Sequence, residues 1–163
     1  LFTATLHNRS NKEAELTVLP TLWFRNTWSS GRDRNLPEAS LDDEQRVKIK
    51  HHLLGEHYIY FDQAEEIVFC DNETNRKRLY GTEAVSKYPK DGINDYVVNG
   101  KPSVNPAQSG TKTSGIFKVK IPAKGQKQVR ASSVVEYPVE KEKRKNKIIE
   151  TSVEKVEVAL EYK

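Results

Sequence analysis

One cysteine, Cys70, stands among 163 residues, so neither an intramolecular disulfide framework nor a multi-cysteine zinc site is open to this chain. Methionine is absent altogether, the initiator included, and we read the chain as a processed or excised piece of something larger. No run approaches the roughly 18 apolar residues that a membrane-spanning helix needs, so no membrane partner is expected. The opening Leu-Phe-Thr-Ala-Thr-Leu-His has neither the basic region nor the long apolar stretch of a secretory signal. A lone thiol and no signal place the expected compartment in the cytoplasm. The excess of 27 Lys+Arg over 23 Asp+Glu leaves only +4, with both signs interspersed, which argues against a nucleic-acid partner.

What is present alternates with period two. Phe2, Ala4 and Leu6 take turns with Thr3, Thr5 and His7, as in a half-buried strand. Asn8-Arg9-Ser10-Asn11 is turn chemistry, and Leu16 and Val18 resume the alternation, so the two runs are expected to pair antiparallel. Val47 and Ile49 form another strand, as do the β-prone runs Tyr58-Ile59-Tyr60-Phe61 and Ile67-Val68-Phe69-Cys70. Phe117, Val119 and Ile121 alternate with lysines until Pro122, and residues 129–135 read as the returning strand after Lys124-Gly125.

Two stretches lack this pattern. Residues 25–45 form a polar connection, and residues 81–115 read as mostly loop, carrying Gly81, Gly92, Gly100, Gly110, Pro89, Pro102 and Pro106. Only Tyr96-Val97-Val98 looks like a strand there. Short strands, turn signals and no clear helix predict an all-β antiparallel β-sandwich of the super-sandwich type with long loops over residues 1–135. Its inner faces would hold Leu16, Val18, Val47, Ile49, Phe117, Val119 and Ile121. Residues 136–147, with Lys141, Lys143, Arg144, Lys145 and Lys147, read as a charged linker or hairpin tip. Residues 148–163 read as a terminal strand on their β-branched content, with a short helix as the alternative.

Few residues carry chemistry. Both tryptophans lie in Leu19-Pro20-Thr21-Leu22-Trp23-Phe24-Arg25-Asn26-Thr27-Trp28, beside an arginine and an asparagine. Indole faces stack on sugars and cations, and Arg25 and Asn26 could supply the hydrogen bonds a polyol needs. The plain alternative is that Trp23 and Trp28 are core or a buried interface. Lys90-Asp91-Gly92-Ile93-Asn94-Asp95-Tyr96 gathers acidic and amide oxygens around a glycine, which suits Asx turns better than a calcium loop. Asp91 and Asp95 are also a conceivable carboxylate pair, but spacing in sequence does not set the separation that glycoside hydrolysis demands. His7, His51, His52 and His57 lack ligand spacing and read as strand-surface residues. Cys70 closes an apolar run and reads as packed. The sequons at Asn8 and Asn72 read as chance matches, and no phosphate loop or nucleophile elbow occurs. No metal or other cofactor is expected.

Three blocks carry a family resemblance: residues 19–29 just quoted, Asn72-Glu73-Thr74-Asn75, and Lys90-Asp91-Gly92-Ile93-Asn94-Asp95-Tyr96-Val97-Val98. Val104-Asn105-Pro106 and Gly110-Thr111-Lys112 fit the same template. Over roughly residues 4–130 the sequence resembles the N-terminal β-rich region of large proteins related to glycoside hydrolase family 63, the mannosyl-oligosaccharide glucosidase group. Trp28-Ser29-Ser30 replaces the usual Trp-Ser-Trp, and the tail after about residue 131 departs from the template. The resemblance implies an inverting α-glucosidase type of parent whose carboxylates sit in a separate helical α/α toroid. About a dozen helices at roughly 11–12 residues each do not fit in this chain. The expected partners are therefore that toroid, in the same parent, and a glycan at its cleft. Trp23, Arg25, Asn26 and Trp28, with Asp91, Asn94, Asp95 and Lys112, are the candidates for the interface or the substrate, and none is expected to be catalytic. An autonomous carbohydrate-binding module is the alternative, and a free-standing hydrolase using Asp91 and Asp95 a third reading.

Overall fold

In a computed structural model that describes residues 1–32, 34–135 and 154–160, the chain folds into two packed β-sheets with one helix laid on the outside of the smaller. The elements run β1 (Phe2–Asn8), β2 (Ala14–Val18), β3 (Thr21–Trp23), β4 (Glu38–Asp43), β5 (Arg46–His51), β6 (Gly55–Asp62) and β7 (Glu66–Cys70). Two helices follow, α1 (Arg76–Tyr80) and α2 (Gly92–Asn99), then β8 (Ser109–Gly110), β9 (Lys112–Ile121), β10 (Gln126–Val135) and β11 (Glu154–Leu160). The larger sheet has the order β11-β1-β10-β6-β5-β4-β8 and the smaller joins β2, β3 and β7 to β9. All pairings are antiparallel except β1 with β11. The sandwich expected from the alternation is what forms, and residues 154–160 are a strand. The charged stretch 136–147 lies outside the described residues.

The alternating strands bury one face each. Leu6, Val47, Ile49, Phe61 and Val129 of the larger sheet meet Ile67, Phe69, Phe117 and Ile121 of the smaller, and Leu16, Val18 and Val119 pack at the border. The sheets come close enough at Gly115 that a Cβ there would lie 2.7 Å from the Phe61 ring, so only glycine fits. Pro20 cannot donate to a ladder, so the edge of the smaller sheet breaks at Leu19-Pro20 and splits into β2 and β3, both paired with β9.

Several expectations are corrected. β1 and β2 do not pair: β1 lies against β10 and β11 in the larger sheet, and β2 against β9 in the smaller. Likewise β10 does not return along β9 but crosses to the larger sheet, between β1 and β6. Both crossings are tied by Asn8, 2% exposed, whose amide donates to the carbonyls of Lys12 at 2.7 Å and Ile121 at 3.0 Å while its oxygen accepts the Ser10 N–H and hydroxyl. The polar connection 25–45 contains strand β4, whose Ala39 and Leu41 face the core. Tyr96-Val97-Val98 belongs to helix α2, not a strand. There Ile93, Tyr96 and Val97, at helical spacing, close over Val68, Cys70 and Ile116 on the outer face of the smaller sheet. Gly100, at φ 62°, ends the helix in the left-handed conformation and donates its N–H to Tyr96 and Asp95.

Candidate functional site

The three sequence blocks that carry the family resemblance meet at one end of the smaller sheet. After β3 the chain turns through residues 24–29, after β7 through residues 71–75, and ahead of α2 through residues 88–91. Hydrogen bonds join all three. Asn72 donates from Nδ2 to the Phe24 carbonyl at 2.7 Å, and Asn26 donates from Nδ2 to the Asn72 carbonyl at 2.8 Å. The Lys90 N–H reaches the Glu73 carbonyl at 3.0 Å, and the Asp71 N–H the Tyr88 carbonyl at 2.7 Å. Asn72 N–H also donates to Thr111 Oγ1 at 2.7 Å, which ties the cluster to the root of β9.

Glu73 is the keystone, 8% exposed. Trp28 Nε1 donates to its carboxylate at 2.6 Å, and the Ser29 hydroxyl lies 2.7 and 2.8 Å from the two oxygens. A buried carboxylate is costly unless hydrogen-bonded, and here an indole N–H and a hydroxyl hold it. Sequence reasoning did not single out Glu73 or Ser29, and noted Asn72 only as a sequon. Their signal for the site was membership of the quoted blocks, because the partners of Glu73 lie 44 and 45 residues away.

The two tryptophans play different parts. Trp28 is half-buried and clamped by Glu73, whereas Trp23 is 57% exposed, with the Lys112 ammonium 6.0 Å from its ring centroid. Lys112 Nζ in turn donates to the Lys90 carbonyl at 2.8 Å. Trp23, Lys112 and Cys70 stand in register across β3, β9 and β7 on the outer face of the smaller sheet, with Cys70 buried under α2 and Trp23 at the edge left uncovered. Arg25 is exposed beside them, and Asn26 is taken up internally by Ser29 and Asn72.

Asp91 and Asp95 are both neutralised in place. Asp91 accepts from Asn75 Nδ2 at 3.1 and 3.2 Å and from Arg78 at 3.0 Å. Asp95 pairs with Lys101 at 3.3 Å and accepts from Asn99 at 3.1 Å, with Arg78 at 3.8 Å. Burial opposes ionisation of Asp95, but Lys101, Asn99 and Arg78 together hold its carboxyl below the usual range. Arg78 of α1 thus reaches both carboxylates, and the pair works as an ionic latch of α1 on α2. Asn94 is exposed on the first turn of α2 and joins neither group. The structure thus brings Trp23, Arg25, Asn26, Trp28, Asp91 and Lys112 to one end, with Asp95 at its border.

Other candidates fall into packing roles. Cys70 is fully buried, and desolvation pushes its thiol up to about 11. His51 stacks on the His52 ring at 4.8 Å and lies tilted against the Phe24 ring at 4.9 Å. The Asn8 and Asn72 amides are both spent on backbone carbonyls, which leaves neither sequon free in the folded chain. Among the described residues no group of three His, Cys, Asp or Glu is placed to hold a metal, and no helix is long and apolar enough to cross a membrane.

The chain is similar to an uncharacterized protein of Saccharomyces cerevisiae, YMR196W, with 31% identity over 147 aligned positions that take in 73% of this chain. It spans only 14% of the length of that curated relative. No protein-family model matches the chain, and no solved structure matches it.

Proposed function

We propose that this chain is a non-catalytic β-sandwich domain of a carbohydrate-active enzyme related to glycoside hydrolase family 63, of the α-glucosidase type. Its loop end would pack on a helical α/α toroid of the same parent and border the glycan cleft. The observation that carries the reading is the convergence of the three resembling blocks in one hydrogen-bonded cluster around Glu73. Blocks that lie apart in the sequence, at residues 19–29, 72–75 and 90–98, act there as a unit, with Trp23 left uncovered at its rim. Exposed tryptophan beside an exposed arginine is the composition of interface anchors. The similarity to a short part of a much longer yeast protein agrees with a domain that works inside a larger chain. The cytoplasm belongs to the same proposal, since a single unpaired thiol is usual there.

Trp23 also supports a second reading, an autonomous carbohydrate-binding module, because an exposed indole is a platform for a sugar ring. The test is an assay of glucose release from α-glucosides by this chain and by the full protein its gene encodes. The expected result is release by the full protein and none by the chain alone. Turnover by the chain, or a full protein without glucosidase activity, overturns the proposal. Retardation of the chain in polysaccharide gels, lost in Trp23→Ala, would favour the binding module.

A further inference from the structure

The outer face of the larger sheet is polar, and its central strands carry a depression far from the loop cluster in sequence and sheet. On β10, Ser132 lies opposite Tyr60 of β6, and Arg130 lies opposite Asp62. A serine beside a tyrosine leaves a dip, and Leu1 and Gln45 close its sides. The resulting groove has a volume of about 320 Å³ and is lined by Leu1, Gln45, Tyr60, Asp62, Arg130 and Ser132. Its floor is rigid, because β6 and β10 are each paired on both sides. Gln45 is fixed too: its carbonyl accepts the Phe61 N–H at 3.0 Å and its Oε1 the Gln63 N–H at 3.1 Å, which leaves its amide N–H₂ facing outward.

The polar groups around this dip are only partly spent: the Tyr60 hydroxyl is engaged by Arg46, itself paired with Asp42, whereas the Asp62 carboxylate has no side-chain partner among the described residues. Arg130 and Asp62 face each other in register yet form no ion pair among the described residues; the guanidinium donates to Gln128 at 3.2 Å instead. One cation and one anion at matched positions cancel, so the groove selects neither anions nor cations. What suits an aromatic ring flanked by a carboxylate, a guanidinium, an amide and a hydroxyl is a neutral ring rich in hydroxyls. Each hydroxyl can donate to Asp62 and accept from Arg130, and an apolar C–H face can rest on Tyr60. The geometry points to a saccharide-binding groove on the outer face of the larger sheet, built from Tyr60, Asp62, Arg130 and Ser132. It lies apart from the loop cluster and does not depend on the domain-packing reading. With one aromatic wall and an open top, it binds weakly, in the millimolar range.

Amide chemical shifts of the whole chain, titrated with maltose and separately with cellobiose, test this. The groove predicts saturable shifts at Tyr60, Asp62, Arg130 and Ser132 with at least one disaccharide. Tyr60→Ala should weaken binding at least tenfold, and Ser132→Leu, which fills the dip from the solvent side, should abolish it, while Lys118→Ala on the exposed side of the smaller sheet leaves it unchanged. If Tyr60→Ala fails to fold, Ser132→Leu and Asp62→Asn decide. No saturable shift with either sugar up to roughly 50 mM, shifts that survive the groove variants, or shifts centred on Trp23 would overturn the inference.

Discussion

The two sheets share one core but treat their outer faces in opposite ways. The larger sheet turns Thr3, Thr5, Arg46, Lys48, Lys50, Gln128 and Arg130 outward, and nothing among the described residues covers them. The smaller sheet is apolar on both sides. In Ile67-Val68-Phe69-Cys70, Ile67 and Phe69 enter the core between the sheets, while Val68 and Cys70 face away from it. A strand that is apolar on both faces needs a cover on each, and residues 86–105, with α2 at their centre, supply the second one. The stretch with the least periodicity is therefore structurally required. Where its cover stops, at the Trp23 end, the site begins.

This contrast predicts a graded set of responses. The largest should follow loss of the cover: Ile93 is 4% exposed, and Ile93→Ala should cost about 2–5 kcal/mol. Denaturant unfolding measures that loss, and hydrogen exchange should quicken in β7 before the larger sheet. A loss below about 0.5 kcal/mol would mean that α2 merely rests on the sheet.

Alkali probes the same cover. Burial raises the Cys70 thiol to about 11, so the folded state holds the neutral form that the unfolded chain surrenders near 8.5. Stability from this group is complete below the unfolded value and is lost as pH climbs toward 11, by about 2–3 kcal/mol. The stability gap between wild type and Cys70→Ala should shift by that amount between pH 8 and 11, and a constant gap would show that the thiol is not held in a dry site.

These residues also show what was legible in the sequence. Strand faces were, because burial of one side forces alternation: Leu16, Val18, Val47, Ile49 and Ile121 all point where period two put them. Sheet membership was not. The crossings of β1 to β2 and β9 to β10 depend on Asn8 binding a carbonyl 113 residues away. Tyr96-Val97-Val98 looked like a strand because β-branched neighbours suit one. Its true partner is Ile93 one turn earlier, with Gly100 as the stop signal. In the site, the tryptophans and arginine stood out by type. The division of labour between Trp23 and Trp28 did not, since it is decided by Glu73 on another loop.

That division predicts a smaller effect. Trp28→Phe keeps the ring but removes the N–H held at 2.6 Å by Glu73, and should cost about 1.5 kcal/mol, the low end for a hydrogen bond to a charged group. Thermal unfolding would show it, and an unchanged midpoint would demote Glu73 from keystone to bystander. The smallest effect belongs to the uncovered face of the larger sheet. The Lys48–Glu56 pair at 2.8 Å is open to water, so Lys48→Ala should leave the thermal midpoint essentially unchanged. A clear drop would mean that this face is not the solvated surface described.

The central claim is that the loop end presents Trp23 outward for a partner domain while Trp28 serves the cluster internally. Acrylamide quenching of tryptophan fluorescence tests it most directly, on a verified monomer of this chain and on the full protein. The account predicts one accessible and one shielded indole in the chain, loss of the accessible fraction in Trp23→Phe, and shielding of both in the full protein. Two shielded indoles in the isolated monomer, or a Trp23 equally quenched in the full protein, would contradict it.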